Sequence, residues 1–137
     1  TPGEGLTGVL AECDLIVECG SIAHMLPEAL DRMLTAARGR RPWVATAPIR
    51  GNDTAEAMDV MRRHGLEPEP MEFPPFRHRR FAGPEEQARA IANARARGYS
   101  TEGYESNGYF HAQIILARPA EEAMPPSSWP VPPSFRA

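Results

Sequence analysis

Residues 14–19 read DLIVEC, approached through Glu12 and left through Gly20-Ser21. A short run of Leu, Ile and Val closed by Gly-Ser predicts a buried strand of the kind found in parallel sheets. A helix is predicted next. Leu26, Leu30, Met33, Leu34 and Ala37 recur at i, i+4, i+7, i+8 and i+11, which makes one apolar stripe. Pro27 suits the first turn, Glu28 favours the positive helix end, and Arg38-Gly39 close the other.

The alternation continues downstream. Residues 43–47, WVATA, predict a second short buried strand, and residues 48–52 a loop. Asp53-Thr54 with Glu56 resembles a capping box, so a second helix is expected, carrying Ala57, Met58, Met61 and Leu66 and capped by His64-Gly65. A third strand is expected over residues 69–73, with Pro68 and Pro70 confined to its beginning or to an edge. Residues 73–81 read as a loop rich in Pro and Arg. Gly83-Pro84-Glu85-Glu86 start a third helix running to Gly98, whose weak apolar face is Ala88, Ile91, Ala92 and the Arg95 stem. Residues 99–107 are polar and irregular. Residues 109–117, YFHAQIILA, set Phe110, Ala112, Ile114 and Leu116 on one side and His111, Gln113 and Ile115 on the other. That period of two marks a strand that is antiparallel or near an edge.

Strand-helix alternation with short connections implies a mainly parallel sheet wrapped by helices. The expected organisation is a loop segment over residues 1–13, an α/β unit over 14–118 and a Pro-rich tail over 119–137. Trp129 and Phe135 in that tail are apolar anchors, for this domain or for a partner.

The 137 residues suffice for one core, and the net charge of −3 gives no global drive toward nucleic acid. No apolar run approaches the ~20 residues of a membrane helix, and the start lacks a signal-peptide pattern. A cytoplasmic protein, or one inside an organelle after processing, is expected. Cys13 and Cys19 would lie about 20 Å apart on an extended segment, beyond disulfide reach, and read as strand residues. The four His are scattered, so no metal site is expected. Thr1 as an N-terminal nucleophile is disfavoured by Pro2 and the Gly-rich context, which reads as loop.

The order of these phrases resembles the C-terminal half of a class I, Rossmann-like S-adenosylmethionine-dependent methyltransferase. The matching features are Asp14-Leu15-Ile16-Val17-Glu18 before the helix at Pro27, the strand at Trp43, and Arg63-His64-Gly65-Leu66-Glu67 leading to the family's sixth strand. The closing antiparallel strand corresponds to residues 109–117. The resemblance implies an α/β fold: a partial Rossmann-like three-layer sandwich, mostly parallel with a final antiparallel strand. It also implies a methyltransferase-like domain. The glycine loop and the ribose-binding acid that hold the cofactor have no counterpart here, and Gly3, Gly5 and Gly8 follow no strand. S-adenosylmethionine binding is therefore expected only with a complementary half. The alternative is a non-catalytic structural or assembly subunit.

Ligands of parallel sheets gather beyond the carboxyl ends of the strands. Glu18, Ser21 and His24 lie there as candidates for substrate contact or acid-base work, or as a turn cap and an exposed helix start. Arg50 and Asn52 are placed to bind a carboxylate or phosphate, or as an exposed loop pair. The segment Phe76-Arg77-His78-Arg79-Arg80-Phe81 interleaves cations with aromatics. Arg77, Arg79 and Arg80 therefore suit an acidic protein partner or nucleic acid, or a solvated loop. In an extended chain Arg77 and Arg79 point alike and Arg80 opposite. An unpaired strand of DLIVEC type predicts a protein partner or self-association through the sheet edge.

Overall fold

The computed structural model describes residues 2–19, 27–71 and 74–124. Strands β1 (Leu15–Glu18) and β2 (Trp43–Thr46) pair in parallel, with Ile16 opposite Val44. The chain between them includes helix α2 (Pro27–Ala36), whose stripe buries Leu30 and Leu34 as its spacing predicts. Helix α3 (Ala55–Arg63) buries Ala57, Val60 and Met61. It starts differently from a capping box. Thr54 makes no side-chain cap, and Asp53 instead accepts the Ala55 N–H at 3.1 Å. Gly65, at φ +76°, turns the chain at once into β3 (Leu66–Pro70), so Leu66 belongs to the sheet and not to the helix. The third strand thus begins three residues before the expected 69.

The expected single strand over residues 109–117 is two strands. β5 (Tyr109–Ala112) joins β4 (Phe76–Arg80) in an antiparallel pair, and β6 (Ile115–Pro119) enters the main sheet. The register breaks at Gln113-Ile114, so Ile115 and Ala117, rather than Ile114 and Leu116, reach the core. β6 is antiparallel as expected, but it is central. It lies between β2 and β3 in the order β1-β2-β6-β3 and runs antiparallel to both. That insertion corrects the mostly parallel expectation: β1, β2 and β3 run the same way, yet only β1 and β2 touch as parallel neighbours. Pro68 and Pro70 sit on β3, an edge strand, where a missing N–H costs no ladder bond.

One core cluster joins Ile16, Val44, Ala117 and Leu66 of one sheet face to Leu30, Leu34, Val60 and Met61 of α2 and α3. The other face carries Leu15 at 50% exposure, Val17 at 64% and Trp43 at 38%. The fold is therefore mixed α/β, with α2 and α3 packed on one sheet face.

Two more expectations are corrected. Residues 1–13 are not simply loop, because Pro2–Ala11 form helix α1. Leu6, Val9 and Leu10 recur at helical spacing, and Pro2 suits a first turn; the glycines drew the reading toward loop. The Arg-rich segment is the strand β4, held by pairing with β5 rather than by its own pattern, for all five of its side chains are exposed. Cys13 and Cys19 are free thiols, and Cys13 Sγ donates to the Leu15 carbonyl at 3.0 Å. No described helix is long and apolar enough to cross a membrane.

Candidate functional site

Beyond β2 the loop Pro48–Asn52 does not stand free. The Arg50 N–H donates to the His111 carbonyl at 2.8 Å, and the Gln113 N–H donates to the Pro48 carbonyl at 3.1 Å. Ile49 bridges Ala112. These bonds fasten the antiparallel β4–β5 pair to the end of β2. Gly51 fastens the loop on its other side. Its φ is +89°, and a Cβ there would meet the Ala94 nitrogen at 2.9 Å, on helix α4 (Pro84–Ala96). Ala90 and Ala94 are the buried residues of α4, while Ala88 and Ala92 are exposed; the small face is what admits the glycine backbone.

Arg50 points inward rather than into solvent. Its Nη1 donates to Glu105 Oε2 at 2.5 Å and its Nη2 to the Ser100 carbonyl at 2.8 Å. Its guanidinium stands 4.7 Å from the centre of the Tyr99 ring and 4.3 Å from that of Tyr104, a double cation–π contact. Glu105 lies in a short 3-10 turn (Glu105–Asn107) and is fully buried, with Oε1 left without a hydrogen-bond partner. His111 is buried against the edge of Tyr104, ring centres 5.2 Å apart. Burial pushes its pKa down, opposed by its hydrogen bond to the Tyr109 carbonyl. Sequence reading missed Tyr99, Tyr104 and Glu105, since nothing local in a polar stretch shows that they close on a loop some 50 residues away.

The arginines of β4 are also engaged. Arg77 stands 4.5 Å from the Tyr109 ring centre, and Arg80 Nε donates to the Tyr109 hydroxyl at 2.9 Å. Arg79 forms a bidentate pair with Glu86, at 3.0 and 2.8 Å, and lies 4.6 Å from the Phe110 ring centre. Glu86 also accepts the Ala82 N–H at 2.6 Å. Arg79 is the main reason its pKa falls to about 2. An irregularity between Arg77 and Arg80 breaks strict alternation, so Arg77 and Arg80 share Tyr109 and Arg79 stands apart. The expected pairing of Arg77 with Arg79 is thereby corrected.

Between the loop, the β4–β5 pair and α4 lies an open cleft of about 450 Å³. Ile49, Asn52, His78, Arg79, Arg89 and Phe110 line it. The structure thus brings Asn52 and Arg79 together and directs Arg50 elsewhere. At the carboxyl end of the parallel pair, Thr46 Oγ1 donates to Glu18 Oε2 at 2.6 Å. Ser21 and His24 lie outside the described residues, as do Trp129 and Phe135. His64 is the C-cap of α3, as expected, and its ring also binds Asp31 of α2, Nε2 to Oδ1 at 2.8 Å, so it ties the two helices as well. Among the described residues no group of three His, Cys, Asp or Glu could hold a metal ion. Comparison with family models and with curated proteins found no match for the chain.

Proposed function

We propose that the chain is the second half of a Rossmann-like S-adenosylmethionine-dependent methyltransferase domain. Cofactor binding then requires another polypeptide segment. The observation that carries this reading is the open side of the sheet. Among the described residues β1 pairs only with β2, and Leu15, Val17 and Trp43 lie exposed on one face. A complementary half pairing with β1 and covering that face would complete a three-layer sandwich. It would also supply the strand-order switch where ligands of such sheets bind. The antiparallel β6, closing the chain's strand order, supports the resemblance further.

The residues present do not fit the cofactor by themselves. Glu18 is bonded to Thr46, Arg50 is spent on Glu105, and no glycine-rich turn follows a strand. No step of methyl transfer is therefore assigned to them. Calorimetric titration of S-adenosylmethionine into the purified chain tests the reading. No binding is expected, and a micromolar dissociation constant would overturn it.

A non-catalytic assembly subunit is the competing reading. It is favoured by the internal engagement of Arg50, Arg77, Arg79 and Arg80. The same titration on the chain purified with its natural partner separates the two. Binding supports the first reading, and its absence supports the second. The outer face of β4 is the surface proposed for an acidic partner. Steep loss of binding with salt would mark that partner as nucleic acid.

A further inference from the structure

We infer that the cleft between the loop at 48–52, the β4–β5 strand pair and α4 is a binding site for a small organic anion. The ligand class is a carboxylate or phosphate monoester carried on a flat apolar body. This inference does not rest on the methyl-transfer reading, because it concerns other residues and needs no cofactor.

Size comes first. About 450 Å³ lies within the range of small-molecule sites, roughly 300–1,000 Å³. The lining then sets the chemistry. Ile49, Ala90 and Phe110 supply an apolar wall, and Asn52 and Asn93 supply amides. Two arginines and one carboxylate also line it. The carboxylate is committed: both oxygens of Glu86 are held by Arg79, and one also takes the Ala82 N–H. That pair cancels in charge. Arg89, one turn further along α4, forms no salt bridge within 4 Å among the described residues, although its charge also acts on Glu86 and helps to lower its pKa. His78 stands exposed on the same cleft. With two guanidiniums against one carboxylate, the cleft keeps one net positive charge, and the His78 imidazole stands with it beside an aromatic wall. An anion gains a charge-assisted bond there, and a cation meets repulsion.

The walls are also held in place. Gly51 seats the loop on the backbone of α4, Arg79 clamps β4 to the first turn of α4, and Phe81 meets Phe110 edge-on at 4.5 Å. A site built before its ligand arrives loses less entropy on binding.

Phenyl phosphate and benzoate are the probes, with benzyl alcohol as the neutral control, followed by amide chemical shifts at low salt. The expected result is that both anions shift residues 49–52, 78–79, 89–93 and 110, and that benzyl alcohol binds far more weakly. Arg89→Gln should weaken the anions about tenfold, the worth of one charge-assisted hydrogen bond. Arg95→Gln, the same charge change on the same helix outside the cleft, should leave binding unaltered. Asn93→Tyr, which fills the cleft and keeps every charge, should abolish it. Whichever anion binds more tightly identifies the natural head group. Absence of binding at millimolar probe, equal weakening by the two arginine variants, or equal binding of benzyl alcohol would overturn the inference.

Discussion

Arg50 and Glu105, 55 residues apart in the chain, form an ion pair whose side chains are 9% and 1% exposed. Two tyrosine rings flank the guanidinium, so neither charge is well solvated. A pair of this kind matters most when half of it is lost. Arg50→Met leaves the Glu105 carboxylate buried without its cation, and a loss of about 3–5 kcal/mol is expected. Replacing both at once, Arg50→Met with Glu105→Leu, should cost less than Arg50→Met alone. Urea melts of the two variants check this ranking.

Gly51 and Gly103 separate two effects of glycine. Both have positive φ, +89° and +82°, but only Gly51 has backbone within 4 Å of a built Cβ. Gly103→Ala should cost only the left-handed conformational term, roughly 1–2 kcal/mol. Gly51→Ala adds a clash with Ala94 and should cost clearly more, roughly 2–4 kcal/mol, while lifting the loop from α4. Equal losses in denaturant melts would show that the close approach carries no energy.

Glu86 gives the chain an acid-side pH dependence. Its pKa lies near 2 because it accepts from Arg79 and the Ala82 N–H. A carboxylate lowered on folding stabilises the fold fully above its unfolded value, about 4.3. That contribution is lost as pH falls through about 2. Carboxyl titration followed by NMR should find Glu86 near 2, well below the ordinary glutamate range. In Arg79→Gln it should move up toward the ordinary range.

Helix α1 holds Gly5 and Gly8, and a Cβ at either would touch nothing within 4 Å. Alanine at each should favour the helix by up to about 1 kcal/mol. Slower amide exchange over residues 5–11 is the expected readout.

Val17 tests the proposed completion of the sheet. It is exposed on β1, whose outer edge has no strand partner among the described residues. The chain alone should associate at micromolar concentration, and Val17→Lys should shift it toward monomer, since a charge blunts an open edge. Its stability should change by no more than about 0.5 kcal/mol. Sedimentation of the unaltered chain as a single monomer would refute association through this edge.

Much of the fold was legible as pattern. The α2 stripe of Leu30, Leu34 and Ala37 is buried as its spacing requires, β2 falls at the WVATA run, and α4 begins at its Pro84 signal. These are local matters, decided by periodicity and turn chemistry within about ten residues. α1 escaped notice because three glycines outweighed its apolar spacing. β4 escaped because a strand with every side chain exposed shows no alternation of burial.

The candidate site was legible only as residue types. Sequence marked Arg50, Asn52 and Arg79 as carriers of charge or hydrogen bonds. It did not show that Glu105 pairs with Arg50, that Glu86 pairs with Arg79, or that Arg89 stands beside that second pair as a further guanidinium. Strand and helix positions follow from the order of side chains along one segment. Which charges meet follows from how distant segments pack, here from a β6 inserted in mid-sheet and a β4–β5 pair fastened to the loop after β2. Electrostatics acts through space over a few ångströms, and only the tertiary structure sets those distances.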